Sequence, residues 1–198
     1  MSQINSQYQL HFYASQDVQK GRLDIICNNA GIFEDIPFSE QSDESIQRII
    51  RINIDGVVNC SKVAFPALQA TKGAKLINIA SAASIYGVPN EVTYSASKFF
   101  VRGFSEGLKL EWEKEDIDVS VIMPSYVKTP MIENNQTSWE GRFGVSLNAE
   151  DVASSIWKAS NSSKLYWCLP GSTRLLMSVM RKIPMFFVPR MAKKIFFG

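Results

Sequence analysis

The sequence predicts an α/β fold built around a parallel β-sheet, because two kinds of segment alternate along the chain. Short apolar stretches, typical of buried strands, alternate with longer amphipathic segments, typical of surface helices. Parallel strands need long crossover connections, which helices commonly supply, so the alternation favours parallel pairing. With 198 residues, 45% hydrophobic and 20% charged, residues 1–198 are expected to form one globular domain with its own core.

Four apolar stretches are predicted to form the strands. The first runs into an Asn pair, the third is stopped by Pro124, and the fourth is followed by Pro170-Gly171, all of which end strands readily. The predicted strands span residues 23–28, 75–81, 118–123 and 164–169.

The predicted helices lie between these strands. The first covers residues 43–70, with Ser42 or Asp43 as its N-cap, and a glycine follows it. The second begins at Tyr94 and runs to about residue 115. The third begins after Asn148, a good N-cap residue, and has acidic side chains in its first turn, where the helix dipole favours them.

Composition argues against several classes of protein. Lys plus Arg number 21 and Asp plus Glu number 19, so the net charge of +2 gives no reason to expect a nucleic-acid partner. The three cysteines lack metal-like spacing, and their odd number argues against a disulfide framework and fits a reducing, cytoplasmic compartment. With His11 as the one histidine, neither a histidine triad nor a metal site is expected. No apolar run reaches about 18 residues, so no membrane-spanning helix is expected, and the polar N-terminus does not resemble a signal peptide.

The stretch Tyr94-Ser95-Ala96-Ser97-Lys98 is the strongest candidate for catalysis. Residues four apart lie on one face of a helix, so the phenol of Tyr94 and the ammonium of Lys98 are predicted to be neighbours. A nearby cation stabilises a phenolate, so we expect a lowered pKa for Tyr94 and proton exchange near neutral pH. Many Tyr-x-x-x-Lys patterns arise by chance, so the prediction depends on companion motifs.

Two polar residues are further candidates. Asn53 falls on the same helical stripe as apolar Ile49 and Ile50, and a buried amide is costly unless it is hydrogen-bonded. A satisfied structural asparagine is the alternative interpretation. Ser81 ends a predicted strand, where serine often only starts a turn, and Ser84 in the same loop is a competing candidate.

The turn Asn28-Asn29-Ala30-Gly31 follows the first strand. It is either a tight strand exit, since Asn and Gly tolerate positive φ, or a small edge against which a flat cofactor lies. This turn, Ser81 and the loop after Pro124 all follow the carboxyl ends of predicted strands. Ligands bind at that end of open parallel sheets, so the three features are expected to lie around one binding site.

Taken together, these motifs resemble the short-chain dehydrogenase/reductase family. Ser81 precedes Tyr94 by 13 residues and follows Asn53 by 28, as in the family, and this spacing selects Ser81 over Ser84. The resemblance covers about residues 21–170 and rests on Asn28-Asn29-Ala30-Gly31, Asn53, Ser81, Tyr94-x-x-x-Lys98 and Pro124-Ser125-Tyr126-Val127-Lys128-Thr129. It implies a Rossmann-type, doubly wound parallel sheet, an NAD or NADP cofactor, and interconversion of an alcohol and a carbonyl substrate.

The resemblance also implies a role for each matching residue. Tyr94 would be the general acid or base, and Lys98 would lower its pKa and bind the nicotinamide ribose. Ser81 would hold the substrate oxygen, and Asn53 would position a water that links Lys98 to solvent. The cofactor contacts implied are Asn29, Ala30 and Gly31 on the adenosine side, Tyr94 and Lys98, and Val127 and Thr129 around the carboxamide or phosphates.

The chain departs from the family pattern at two places. Ser125 stands where the family has glycine, which adds bulk beside the nicotinamide. More seriously, no Thr-Gly-x-x-x-Gly-x-Gly turn occurs before Asn28, and Gly21 is the first glycine. We therefore expect a fold incomplete at its N-terminus, as in a truncated member, with residues 1–20 an atypical remnant. The alternative function is a catalytically inactive remnant that acts at most through subunit association.

The remaining segments bear on substrate and partners. Residues 125–147 occupy the place of the family's substrate loop, whose mixed composition favours a partly apolar alcohol or ketone. The tail, residues 174–198, interleaves basic and aromatic residues and contains Pro184 and Pro189, which are expected to interrupt a long helix. It is interpreted as a pocket cover or subunit contact, with contact to a membrane surface as the alternative. A homodimer or homotetramer is expected.

Overall fold

The computed structural model describes residues 22–133, 147–180, 182–184 and 186–197. At its centre lies one sheet of four strands, paired in chain order and parallel throughout. The strands are β1 (Ile25–Asn28), β2 (Lys75–Ile79), β3 (Asp118–Pro124) and β4 (Tyr166–Leu169). The predicted parallel sheet is confirmed, and β1, β2 and β4 are each two residues shorter than predicted.

Helices connect the strands and cover the sheet. The described helices are α1 (Asp43–Ile50), α2 (Gly56–Gln69), α3 (Val92–Glu111), α4 (Pro130–Glu133), α5 (Ala149–Ser160), α6 (Gly171–Met180) and α7 (Val188–Phe197). Two short 3-10 turns, Ala82–Ser84 and Glu113–Glu115, flank α3.

The predicted helix over residues 43–70 is interrupted in its middle. A π-helical turn, Arg51–Asp55, separates α1 from α2 and ends at Gly56. Ser42 is the N-cap of α1, because its hydroxyl accepts a hydrogen bond from the Ser45 N–H at 3.2 Å. The π-turn inserts an extra residue into the helix, and such turns are frequent at functional sites.

Local signals in the sequence also fix the other boundaries. Asn148 caps α5 through a reciprocal pair of hydrogen bonds with Asp151, each 2.9 Å long. After α2, Gly73 adopts a φ of 70°, which glycine accepts without strain. Two separate helices, α6 and α7, form the described part of the tail, as predicted, and Pro184 lies between them. Pro189 lies in the first turn of α7, where proline is tolerated because the N–H has no helical partner.

The sheet is buried on both faces, as a doubly wound fold requires. Leu76 of β2 packs toward Leu68 and Trp112 on one face. Its neighbour Ile77 packs toward Ala159 of α5 on the other face. This alternation follows from the two-residue period of a strand and confirms the predicted Rossmann-like α/β architecture.

Two buried asparagines fix the register between β1 and β2. The Asn28 side chain donates to the Asn78 amide oxygen at 2.8 Å and to the Ser61 hydroxyl of α2 at 3.0 Å. Asn78 in turn donates to the Ser105 hydroxyl of α3 at 2.9 Å. A slip of one residue would leave these buried amides without partners, so the pair ties both helices to the sheet in one position. Helix α3, which carries Tyr94 and Lys98, is therefore rigidly placed.

Because all strands are parallel, their carboxyl ends lie on one edge of the sheet. The loops after β1, β2, β3 and β4 converge there on a cavity of about 900 Å³. The motifs at the strand ends, which were predicted to lie together, thus surround this single cavity in the structure.

Candidate active site

The cavity gathers most of the residues that sequence reasoning singled out. Its polar part is formed by side chains from α3 and from the loops after β2 and β3, and its apolar wall comes from α5, α6 and α7. The predicted site residues that line it are Asn29, Ala30, Gly31, Ser81, Tyr94, Lys98, Val127 and Thr129. Asn53 lies behind this surface.

Lys98 is almost fully buried at the base of the cavity. Its side chain is 5% exposed, and its Nζ donates to the Ile79 carbonyl at 3.0 Å. β1 ends at Asn28, opposite Asn78, so β1 offers no partner for the next carbonyl of β2, and Lys98 supplies one. Burial disfavours the charged form and lowers the pKa of Lys98 to about 8.

Tyr94 does not have the lowered pKa that the sequence predicts. Burial is the main cause that raises the pKa of Tyr94 to about 12, a hydrogen bond with Ser81 opposes the rise, and the Glu91 carboxylate adds to it. The Lys98 Nζ lies 5.6 Å from the centroid of the Tyr94 ring and donates to Ile79. The expectation that Lys98 depresses this pKa is therefore wrong here, because desolvation of the phenol outweighs a cation that faces the ring and not the hydroxyl.

The structure distinguishes the two candidate serines. Ser81 lines the cavity, caps the 3-10 turn by accepting from the Ala83 N–H at 3.1 Å, and is hydrogen-bonded to Tyr94. Ser84 is fully buried, and its hydroxyl donates to the Ser81 carbonyl at 2.6 Å. Ser81 is thus the serine that can reach a ligand.

Asn53 holds the backbone that follows β1 in place through hydrogen bonds. Its amide oxygen accepts from the Ile32 N–H at 2.8 Å, and its amide nitrogen donates to the Ile32 carbonyl at 2.9 Å and to the Ser97 hydroxyl at 3.0 Å. These contacts fit the interpretation of a satisfied structural asparagine, and the predicted water relay remains a prediction.

Gly31 lies against both Lys98 and Asn53. A Cβ at this position would meet the Lys98 Nζ at 3.3 Å and the Asn53 Oδ1 at 3.4 Å. The first contact is tight and the second is an ordinary van der Waals contact, so a side chain here would press mainly on the Lys98 amine. The exit of β1 is therefore a smooth backbone edge, as a flat cofactor requires.

The loop after β3 forms the opposite rim. The Ser125 N–H donates to the Leu169 carbonyl at 2.7 Å, and Val127 forms a parallel bridge with Leu147. The Thr129 hydroxyl donates to the Val127 carbonyl at 3.3 Å. Met131 also lines the cavity, whereas the part of the predicted substrate loop over residues 134–146 lies outside the described residues.

Sequence reasoning missed a second polar pair in the same cavity. Glu91 is 2% exposed, and the Tyr126 hydroxyl donates to its carboxylate at 2.5 Å. Burial raises the pKa of Glu91 to about 7, and it also raises the pKa of Tyr126. The one sequence feature that could have identified Glu91 as a site residue is its position, three residues before Tyr94.

The C-terminal helices close the cavity from one side. Leu176 and Met180 of α6 and Ala192, Ile195 and Phe196 of α7 line its apolar wall. The Phe196 ring stacks on Tyr86 with centroids 6.4 Å apart. The inner face of the tail is thus a pocket cover.

Comparison with known proteins identifies the family. A family model described as short chain dehydrogenase matches residues 5–140. The chain belongs to this family. The match begins within residues 1–20, which the sequence analysis treated as an atypical remnant.

Three curated members show how much of the family the chain spans. It is 36% identical over 112 residues to a 3alpha-hydroxysteroid dehydrogenase of Mediterraneibacter gnavus, covering 57% of this chain and 45% of the relative. It is 31% identical over 159 residues to a 3-oxoacyl-[acyl-carrier-protein] reductase FabG of Thermotoga maritima, covering 75% and 63%. It is 34% identical over 120 residues to a 3-ketodihydrosphingosine reductase of Bacteroides thetaiotaomicron, covering 61% and 45%. The chain therefore spans about half the length of the curated relatives it matches.

A solved structure shares the fold. ElxO with NADP bound superposes with a TM-score of 0.68 at 25% identity, covering 78% of this chain and 68% of that chain.

Neither a metal-ligand cluster nor a membrane-spanning helix is found among the described residues. Within residues 22–133, 147–180, 182–184 and 186–197, no three His, Cys, Asp or Glu side chains cluster as metal ligands would. In the same part of the chain, no helix has both the length and the apolar character needed to cross a membrane. His11 lies outside the described residues.

The tight packing of Gly31 leads to a prediction. In Gly31→Ala, the new methyl group would displace the Lys98 amine by a few tenths of an ångström. We expect NAD(P)H affinity to fall by about tenfold or more, with a loss of unfolding free energy of about 1 kcal/mol or less. Fluorescence titration and denaturant unfolding measure the two quantities.

Gly87→Ala is the matched control, because a Cβ there meets nothing within 4 Å. Equal effects of the two substitutions on cofactor affinity would show that the Gly31 contacts are unimportant.

Proposed function

We propose that the protein is an NAD(P)-dependent oxidoreductase that interconverts an alcohol and a carbonyl compound. One observation carries the proposal: Ser81, Tyr94 and Lys98 line one cavity, and Asn53 reaches it through Gly31. Ser81 is hydrogen-bonded to Tyr94, and the Lys98 amine lies over the Tyr94 ring. A Cβ at Gly31 would meet both Lys98 and Asn53. Membership of the family supports the same reaction.

The protein groups have separate tasks in this reaction. Tyr94 gives its proton to the substrate oxygen during reduction, and its pKa of about 12 keeps that proton in place at neutral pH. Ser81 holds the same oxygen and stabilises the negative charge that develops on it. Lys98, with a pKa of about 8, exists in both protonation states near neutral pH. Because its amine faces the Tyr94 ring and not the hydroxyl, it would restore the Tyr94 proton through an intervening group, such as the water that Asn53 is predicted to position.

The cavity fits the nicotinamide end of the cofactor. The backbone edge at Asn29, Ala30 and Gly31 and the rim at Val127 and Thr129 leave room for a flat group between them. NAD or NADP, when bound, supplies or accepts the hydride. An inactive chain that acts through subunit association is the competing proposal, because residues 1–28 hold no glycine-rich turn for the pyrophosphate.

The substrate is an alcohol or ketone with a substantial apolar part. Beyond Tyr94 and Ser81 the cavity wall is apolar, formed by α5, α6 and α7. The three relatives are named for a hydroxysteroid, a 3-oxoacyl group on a carrier protein and 3-ketodihydrosphingosine. All three names include a hydroxyl or carbonyl group.

Removing the hydroxyl oxygen of Tyr94 tests the proposed reaction. Tyr94→Phe removes the hydroxyl and keeps the ring, which packs edge-on against Phe33 at 4.9 Å. We expect NAD(P)H-dependent reduction of an apolar ketone to fall by about a hundred- to ten-thousand-fold, because proton transfer contributes that much. NADH and NADPH affinities, from fluorescence titration, should change by about twofold or less.

Tyr86→Phe is the control, because Tyr86 also lines the cavity but lies against Phe196. Full activity in Tyr94→Phe would overturn the role of Tyr94. Failure of the native chain to bind NADH or NADPH at millimolar concentrations would favour the inactive alternative.

We further propose a homodimer or homotetramer in the cytoplasm. Helix α3 supports the assembly, because a Cβ at Gly103 or Gly107 would meet nothing within 4 Å, and Phe100 and Leu110 on this helix are exposed. A second copy of the chain would cover this apolar, side-chain-poor surface. The three cysteines are free, as a reducing compartment requires.

The outer face of the C-terminal helices supports contact with an anionic membrane surface. No Asp or Glu follows Asp151, whereas eight Lys and Arg do. The same segment exposes large apolar side chains, each at least 46% exposed, namely Leu175, Phe186, Phe187 and Phe197. Basic groups beside exposed aromatic rings are what an interfacial helix presents to acidic lipids.

Vesicle binding tests this contact. We expect the native chain to sediment with vesicles that contain phosphatidylserine and to release them at high salt, because the attraction is partly electrostatic. Replacing both Phe186 and Phe187 by Ser should reduce binding by about tenfold, whereas Phe38→Ser, at an exposed site distant in sequence, should not. Equal binding to neutral vesicles or no effect of the double substitution would contradict the proposal.

A further inference from the structure

Glu91 is a buried acid whose role the proposed reaction does not explain. Its side chain is 2% exposed, yet it lines the cavity alongside Tyr94. In the part of the chain that the structure describes, Glu91 has no Lys or Arg as an ion-pair partner. An unpaired buried carboxyl group is costly, and such groups cluster at functional sites.

Local structure does not account for this acid either. Glu91 occupies the N-cap position of α3, but its side chain makes no capping hydrogen bond. Among the described residues, its side-chain hydrogen-bond partner is the Tyr126 hydroxyl, which donates to Oε1 at 2.5 Å. Tyr126 lines the cavity too, so the pair forms part of its wall.

The groups around Glu91 make this part of the cavity electronegative. Asp35, from the loop after β1, lies close enough to raise the pKa of both Glu91 and Tyr126. Tyr94 of α3 and Tyr126 of the loop after β3 contribute hydroxyl groups. A cation or a hydrogen-bond donor is favoured in such surroundings.

We propose that Glu91 and Tyr126 form a subsite that binds a second polar group of the substrate, an amine or a hydroxyl near the reacting carbon. The inference rests on the proposed oxidoreductase function and names its substrate class. Glu91 is the N-cap of α3, three residues before Tyr94, both residues line the cavity, and the Glu91 carboxylate is close enough to act on the pKa of Tyr94. A group held by Glu91 is then a few bonds from an oxygen held by Tyr94 and Ser81.

The shape of the cavity completes the substrate class. Its polar groups lie at the strand ends and on α3, and its apolar wall lies under α6 and α7. A molecule that matches both parts has an apolar chain or ring system with two adjacent polar carbons at one end. Vicinal amino alcohols and diols, with the corresponding amino and hydroxy ketones, have this pattern.

Measurements of ligand affinity test this subsite independently of the catalysed reaction. Three probes with one medium-length carbon chain are a vicinal amino alcohol, the vicinal diol and the plain secondary alcohol. We expect calorimetry on the native chain to show the amino alcohol and the diol binding about tenfold tighter than the plain alcohol. Preference for the amino alcohol should rise between pH 5 and pH 8, because Glu91, with a pKa of about 7, becomes charged while the amine stays protonated.

Glu91→Gln keeps the size of the side chain and an acceptor for Tyr126. It should remove the pH-dependent preference for the amino alcohol and retain the preference for the diol. Glu106→Gln is the matched control, because Glu106 also lies on α3 and accepts from a tyrosine, Tyr166, at 2.7 Å, but does not line the cavity. A purely structural role for Glu91 would not change the ratio between the probes.

The outcomes are distinct from those of the proposed function. Equal affinity of the native chain for the three probes, or the same ratios in Glu91→Gln, would overturn the subsite. Reduction of a plain ketone by NAD(P)H would still stand in that case. If the ratios hold and no ketone is reduced, the oxidoreductase proposal fails and the polar subsite remains.

Discussion

The site is organised around a buried ammonium group. Lys98 inserts its amine between the end of β2, the exit of β1 and the Tyr94 ring, where the Ile79 carbonyl accepts its hydrogen bond. Gly31 leaves room for the amine, and Asn53 holds the backbone beyond Gly31 in place. A cation in this position is costly to bury, so its burial points to a role in the site and not to a gain in stability.

The fold places this group through polar contacts inside the apolar core. Asn28 and Asn78 pair across β1 and β2 and reach serines on α2 and α3. These bonds are buried, so breaking any of them leaves an unpaired amide. The helix that carries Tyr94 and Lys98 is thereby tied to the sheet in one register. The cavity then receives its chemistry from the strand ends and its apolar volume from the C-terminal helices.

Much of the fold was predictable because its signals are local. Pro124 ends a strand, Asn148 caps a helix, and alternation of strands and helices favours a parallel sheet. Motif spacing likewise brought Ser81, Tyr94 and Lys98 into one cavity. Long-range contacts were not predictable. Tyr126 meets Glu91 across 35 positions, and no short pattern encodes that pair. The pKa of Tyr94 was predicted in the wrong direction, because spacing indicates which groups are near but not how far burial removes water from them.

The titration of Lys98 tests the central claim most directly. Lysine labelled with carbon-13 at Cε reports the protonation of each amine by NMR, and Lys98→Met assigns the signal. We expect this amine to lose its proton near pH 8. The native chain should then gain unfolding free energy relative to Lys98→Met as the pH rises from about 8 to the ordinary lysine value of about 10.4, because unfolding must reprotonate the amine. Titration together with the surface lysines, near pH 10.4, would show that the amine is solvated and would contradict the account.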